Sequence, residues 1–242
     1  MSLLKDMDWK PMALVPLLAL AALPAIGSPS TWLTLTVAGL AMGMIVFIIA
    51  SGLTLVFGLM DVLNFGHGVF IALGAFVATT VLASMGSYTT SPSLWMNMLA
   101  LLPAMLVAMA VAGALGLVFE RFIIRPVYGM HLKQILITMG GMIIGEEMIK
   151  VIWGPEQIPL PLPEGLRGSL LLGDAAVEQY RIVAVLVGAA VFAAMVWTLN
   201  RTKVGLLIRA GVQDREMVES LGYRIKRLFV GVFVAGSALA GL

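Results

Sequence analysis

The sequence predicts an all-α membrane protein, a polytopic transmembrane helix bundle with one broken helix and a short cytoplasmic helix. Its 242 residues are 60% hydrophobic and only 12% charged, with a mean hydropathy of +1.02. Soluble domains carry about 25% charged and 45–50% apolar residues. The apolar excess falls in runs of about the 20 residues that a helix needs to cross a bilayer. These runs are apolar all round, whereas membrane strands alternate, so helices are predicted.

Seven apolar segments are expected to form a single transmembrane domain over residues 1–242. The predicted spans are 12–26, 33–57, 69–83, 99–119, 134–153, 182–199 and 228–242. The first could instead be a cleaved signal peptide, but acidic residues offset Lys5 and Lys10, and the further spans favour a retained helix. The last segment reaches only about 22 Å at 1.5 Å per residue, short of a 30 Å hydrocarbon core. We therefore expect either a truncated chain or an unusually short terminal helix.

The distribution of Lys and Arg predicts the orientation, because cytoplasmic loops are enriched in these residues. With the N-terminus inside, one face collects Lys5, Lys10, Arg121, Arg125, Lys133, Arg201, Lys203, Arg209, Arg215, Arg224, Lys226 and Arg227. The other face keeps Arg167 and Arg181, with Lys150 near the end of a span. The N-terminus and loop 200–227 are therefore predicted to be cytoplasmic, and loop 154–180 to lie outside.

The stretch 58–68 interrupts the helical pattern with three glycines, Asp61, Asn64 and His67. Irregular backbone at membrane depth is tolerated where protein or a water-filled cavity satisfies it, so the stretch predicts a broken helix that lines a path. Ionisable groups at that depth cost about 2.5–3.5 kcal/mol and are functional by default. Two interpretations stay open for Asn64 and His67: lining a path or gate, and capping the half-helix that follows.

Other local patterns predict packing. Two pairs of glycines four residues apart favour close approach of helices: Gly39 and Gly43, and Gly141 and Gly145. Glu146 and Lys150 are four apart near the outer interface, where a structural ion pair is expected. Four prolines make the start of the outer loop stiff and extended: Pro155, Pro159, Pro161 and Pro163. The loop could be a docking surface for a binding protein or an inert cover over the rim of the bundle.

Loop 200–227 predicts a short amphipathic helix on the cytoplasmic side. Asp214 can cap a helix of about two turns that Gly222 ends, with Met217, Val218 and Leu221 as its apolar stripe. Such a helix needs a partner. Its cations also suit a helix that lies on the lipid headgroups, so both interpretations stay open.

Three stretches resemble one family. The run GLTLVFGLMDVLNFGHGVFIALGAF at 52–76 is similar to the "GLTLVFGL…N-F-x-H-G…LGA" run of permease subunits of branched-chain amino-acid ABC importers, although Asp61 stands where Gly is expected. The pattern "G-L-x-I-R-A…Q-D…E-M-V…L-G" resembles the coupling loop of these permeases, in which a Glu precedes a Gly by six positions, as Glu216 precedes Gly222. With "E-R-F-I-I-R-P-V" at 120–127, the resemblance covers nearly the whole chain from residue 33 onward.

The resemblance implies a permease of the bacterial inner membrane that pairs with a second, related permease, two cytoplasmic ATPases and a periplasmic substrate-binding protein. The implied residues of the substrate pathway are Asn64, Phe65, His67 and Gly68. Those that couple to the ATPase are Gln213, Asp214, Glu216, Met217, Leu221 and Gly222. The expected cargo is a branched-chain or other small hydrophobic amino acid, with urea, short amides and aromatic acids still open.

No catalytic residue, cofactor, metal or nucleic-acid partner is expected. None of the six lysines is followed by Ser or Thr, so the chain lacks a P-loop, and ATP must be hydrolysed by another chain. An ion-coupled secondary transporter or channel is the alternative, for which Asp61 is the sole candidate acid at mid-membrane. An intramembrane enzyme using Asp61 and His67 is disfavoured, because two such groups six apart form neither a metal site nor an activated nucleophile.

Overall fold

The apolar segments fold as helices in a computed structural model that describes residues 9–156, 158–160 and 162–242. Ten α-helices occur in this part of the chain: α1 Trp9–Ile26, α2 Pro29–Met60, α3 His67–Ser84, α4 Gly86–Thr89, α5 Leu94–Phe119, α6 His131–Trp153, α7 Gln179–Arg201, α8 Lys203–Gln213, α9 Arg215–Ser220 and α10 Ile225–Ala240. A π-helix, Glu120–Ile124, and a 3₁₀ turn, Arg125–Val127, continue α5. Lys5, Asp6, Asp8 and Pro161 lie outside the described residues, as do the side chains of Lys10 and Arg215.

Four helical runs of the described chain are long and apolar enough to cross a membrane: Pro29–Met60, His67–Ser84, Leu94–Val127 and Gln179–Arg201. Their number and apolar surfaces confirm the predicted all-α polytopic bundle. The other three predicted spans are also helical, as α1, α6 and α10. α2 is longer than predicted, because Ser28 caps its start through a hydrogen bond from the Thr31 amide and Pro29 occupies its first position.

Small residues let the central helices approach closely. α10 packs between α2 and α5, while α3 packs on α5 and α7 on α2. One stripe of α5 is fully buried: Ala100, Ala104, Ala108 and Ala112. Next to it, the rings of Phe70, Phe119 and Phe233 pack at centroid distances of 5.6–6.2 Å. The outward surfaces of the spans remain apolar and exposed, as expected of helices that face lipid.

The glycine pairs behave differently from each other. Gly141 and Gly145 permit close contact, since an added Cβ would meet Phe119 and Val69 respectively. For Gly39 and Gly43 the prediction of close packing within the subunit is wrong. Nothing lies within 4 Å of an added Cβ at either one, and both line an apolar groove of about 950 Å³ between α1 and α2.

The two ends of the bundle have different structures. At one end, called the basic end, α2 finishes beside Tyr128 and Gly129. The α8–α9 pair and the start of α10 lie next to these two residues. At the other end, the hairpin end, an antiparallel hairpin joins β1 (Ser169–Leu172) to β2 (Ala175–Glu178), with Leu170 opposite Val177. This hairpin is not among the elements predicted from the sequence. The Gly173-Asp174 turn between short apolar runs was the signal that could have predicted it.

The loop at the hairpin end is tied to the bundle by Asn97, a fully buried residue of α5. Its side-chain oxygen accepts a hydrogen bond from the Gly165 amide at 2.7 Å, and its nitrogen donates to the carbonyls of Tyr88 and Ser91. Lys150 pairs with Glu147 at 2.7 Å instead of the predicted Glu146, because the three-residue spacing also places two side chains on one helix face.

Candidate functional site

The predicted break lies between α2 and α3, where the chain turns back into the bundle. His67, the first residue of α3, lies beside Ile49, with Nε2 3.2 Å from the Ile49 carbonyl oxygen. Ile49 precedes the end of α2 by 11 residues, about 16 Å at 1.5 Å per residue. Residues 61–66 therefore run back along the last three turns of α2, and α3 starts inside the bundle.

Asp61 makes the reversal possible. It caps the end of α2 in the left-handed conformation, with φ 53°, and its amide donates to the Phe57 carbonyl. Asp tolerates this region better than most residues, and the Gly expected from the family would adopt it freely. The Asp61 carboxylate is 75% exposed and lies 3.5 Å from His131 Nε2 at the basic end. Asp61, the candidate acid of the ion-coupled alternative, thus ends α2 and is exposed at the basic end.

Exposure alternates along the returning segment. Val62, Asn64 and Gly66 are buried in the bundle, whereas Asp61 and Phe65 are exposed. The Phe65 amide donates to Thr138 Oγ1 of α6 at 3.2 Å, which holds the segment in place. Sequence reasoning missed Thr138, although a hydroxyl within an otherwise apolar stretch was a signal for it.

A cavity of about 570 Å³ opens on the exposed side of this segment. All four predicted path residues line it, together with residues of α2: Leu53, Thr54, Phe57, Gly58, Val62, Leu63, Asn64, Phe65, His67 and Gly68. The lining is mostly apolar, with three polar side chains, Thr54, Asn64 and His67. It contains no charged group, so it suits a small apolar solute better than an ion.

Within the described part of the chain, Asn64 and His67 each keep one buried nitrogen without a hydrogen-bond partner, Nδ2 and Nδ1 respectively. Asn64 does not cap α3. Its side-chain oxygen accepts from the Gly66 amide at 3.0 Å, and Gly66 itself is the N-cap. Unpaired buried polar atoms are costly, and both residues border the cavity.

The segment 200–227 forms two helices at the basic end. The prediction of loop over 203–213 is wrong, because these 11 residues form the amphipathic α8, which Thr202 caps through the Gly205 amide. α9 starts at the predicted cap, where Asp214 accepts from the Met217 amide at 2.9 Å, but it is only six residues long. Gly222, with φ +86°, follows its end, and the Tyr223 amide donates to the Val218 carbonyl. This is the glycine-terminated ending that the sequence predicts.

The predicted apolar stripe of α9 divides into two parts. Val218 is buried in the core cluster that also contains Ile225 and Phe229 of α10. Met217 and Leu221 point away from the bundle and are 59% and 65% exposed. The polar residues predicted for coupling are exposed as well: Gln213, Asp214 and Glu216. Among the described side chains of α9, Val218 is buried in the bundle and the others are exposed.

An apolar helix bundle with an irregular segment inside it and a helical pair at one end defines a multi-pass membrane protein. Comparison with known proteins gives the particular family. The sequence pattern described as the branched-chain amino acid transport system / permease component matches residues 35–242. The chain belongs to this family.

Several curated proteins are similar to this chain, and all are described as high-affinity branched-chain amino acid transport system permease proteins. BraD of Pseudomonas aeruginosa is 28% identical over 212 residues. LivH of Salmonella typhimurium and LivH of Escherichia coli K12 are 26% and 25% identical over 210 residues. The alignments cover 84% of this chain and 66% of each relative, so the chain spans about two thirds of their length. No solved structure matches the chain.

Proposed function

We infer that this chain forms one half of the translocation pore of an ATP-driven importer in the bacterial inner membrane. A second, related permease forms the other half, two cytoplasmic ATPases supply the energy, and a periplasmic binding protein delivers the cargo. The cargo is a branched-chain or other small hydrophobic amino acid. The names of the relatives and the uncharged, mostly apolar lining of the cavity beside residues 61–68 support this class of cargo.

The outward surface of α9 is the observation that carries the proposal. A six-residue helix is far below the 12–15 residues that an isolated helix needs in water, so contacts outside the helix must hold it. Val218 supplies the contact with the bundle, and Met217 and Leu221 are left exposed. A cytoplasmic ATPase that covers these two side chains accounts for their position, and its movement on binding ATP would reach α10 through Val218.

The path follows the exposed side of the returning segment. Phe65 is 51% exposed, and Gly68 and Phe57 are exposed beside it on α3 and α2. Irregular backbone inside a membrane bundle is stable only where it faces protein or an aqueous cavity. A second permease facing this surface would close the cavity into a path lined by Asn64 and His67.

The position of Asp61 counts against the ion-coupled alternative, for which Asp61 is the candidate acid. Asp61 lies at the basic end, exposed and next to His131, and borders a different cavity from the one that His67 lines. The same separation removes the pairing of Asp61 with His67 that an intramembrane enzyme would need.

The experiment compares Gly222→Val with Gly231→Val in the reconstituted importer. A β-branched residue at the positive φ of Gly222 costs about 1–3 kcal/mol of backbone strain. Gly231 is exposed on α10 with ordinary helical geometry and open space around it, so it carries the same substitution without that strain. Gly222→Val should reduce ATPase association, or uptake per ATP hydrolysed, about tenfold or more, since 1.4 kcal/mol is a factor of ten.

Gly231→Val should retain both quantities within about twofold, because 0.4 kcal/mol is a factor of two. Coupled uptake at the wild-type level in Gly222→Val would remove the assignment of α9 to ATPase coupling. Uptake that continues without the ATPase subunits and follows an imposed ion gradient would support the secondary transporter instead.

A further inference from the structure

A second cleft lies at the basic end, apart from the cavity beside residues 61–68 and from α9. It has a volume of about 320 Å³ and lies between the π-helix after α5, the 3₁₀ turn and the first turns of α10. The residues that line it are Glu120, Arg121, Arg125, Tyr128, Lys226, Arg227 and Val230. Neither the path nor the coupling helix accounts for this concentration of cations.

The charges of this cleft are not balanced within the described residues. None of its four cations forms a salt bridge with a described carboxylate. Its one carboxylate, Glu120, is only 2% exposed and accepts a hydrogen bond from the Tyr128 hydroxyl at 2.8 Å. The start of α10 adds to the positive potential, because it has no acidic residue in its first turn and no side-chain cap. The cleft therefore has a net positive charge at its mouth.

The membrane side of the same cleft is apolar. Leu117, one helical turn before Arg121, is exposed on α5, and Val230, one turn after Lys226, lines the cleft itself. Phe122 is exposed on the π-helix. Cations at the ends of two spans, with apolar surface directly above them, match a molecule with an anionic head and hydrocarbon chains.

We propose that this cleft binds the phosphate headgroup of an anionic phospholipid, with the acyl chains along α5 and α10. The guanidinium groups of Arg121, Arg125 and Arg227 can bind phosphate oxygens in a bidentate manner, while Lys226 supplies a point charge. The buried Glu120–Tyr128 pair forms the base of the cleft. The site does not depend on the proposed coupling or path.

Titration of the purified permease complex in detergent with fluorescent phosphatidylglycerol tests the proposal. Arg121→Gln with Lys226→Gln removes two cleft cations, and Arg201→Gln with Lys203→Gln removes two cations from the same end outside the cleft. At about fivefold per cation, the cleft variant should bind the lipid about 25-fold more weakly than wild type. The control should bind within about twofold, and phosphatidylcholine should bind weakly to all three proteins.

Four results would overturn the proposal: equal weakening in both variants, equal binding of phosphatidylcholine, displacement of the lipid by inorganic phosphate at comparable concentration, and lost ATPase association with unchanged lipid binding. The third would indicate a small-anion site, and the fourth a protein-docking site. If the cleft variant is not monodisperse, the single variant Arg125→Gln replaces it, with an expected loss of about fivefold.

Discussion

The contact between α2 and α10 can be tested by adding one methyl group. Gly52 of α2 faces Gly236 of α10 so closely that a Cβ on Gly52 would overlap the carbonyl oxygen of Gly236. A Cβ on Gly236 would in turn lie 2.7 Å from the carbonyl oxygen of Gly52. Both obstacles are backbone atoms, which cannot rotate away as a side chain can. Gly52→Ala therefore forces the two helices apart.

The expected loss is about 1–3 kcal/mol in the free energy of unfolding, the usual cost of adding a methylene to a well-packed core. Alanine recovers up to about 1 kcal/mol through its higher helix propensity. Gly43→Ala in the same helix is the matched control, because nothing lies within 4 Å of its added Cβ. Gly43→Ala has the gain in helix propensity without the clash. The difference in unfolding free energy between the two variants therefore measures the cost of the clash.

The unfolding temperatures of the variants are compared in detergent. Unfolding is followed by the fraction of protein that remains monodisperse on size exclusion. Gly43→Ala should unfold at or slightly above the wild-type temperature, and Gly52→Ala clearly below it. Uptake should also fall in Gly52→Ala, since its added Cβ would lie 3.1 Å from His67 Cε1. Equal unfolding temperatures for the two variants would refute the close α2–α10 contact, and with it the depth inferred for His67.

Two further predictions concern the two ends of the bundle. Because the chain has no cysteine, single cysteines introduced at Ser93 and Ser220 report the orientation directly. An impermeant maleimide on intact cells should label Ser93→Cys but not Ser220→Cys. The reverse labelling pattern would show that the predicted orientation is wrong. Asn97→Ala leaves the Gly165 amide unpaired, which should cost about 1–3 kcal/mol and speed proteolysis of loop 154–178. Unchanged cleavage would show that Asn97 does not hold this loop, and Asn200→Ala, at the opposite end, is its control.

Local signals explain which parts of the structure could be predicted. The spans followed from apolar length, and the start and end of α9 from Asp214 and Gly222, because a cap and a left-handed glycine act over a few residues. The break at 58–68 was also visible, since glycines and polar residues interrupted an apolar run. The hairpin and α8 were missed although their signals were present.

The direction of the chain through the break could not be predicted, because contacts distant in sequence determine it. His67 reaches Ile49 only because residues 61–66 turn back, and their position depends on Thr138, 73 residues beyond Phe65. The same limit applies to Asp61, the candidate mid-membrane acid of the ion-coupled alternative. Its left-handed conformation marks a helix end, which becomes evident only when the reversal is known.

In the proposed mechanism, α10 connects the ATPase to the path. It contacts α8 and α9 at the basic end and α2, α3 and α5 along its length. Val218 of α9 packs in the same core cluster as Phe229 and Phe233 of α10, and Phe233 contacts Phe70, whose ring lies 6.4 Å from that of His67. Close-packed interiors shift between discrete arrangements and do not deform smoothly. A displacement of α9 would therefore move α10 as a rigid element, and His67, held against α2, would be displaced relative to the cavity that it lines.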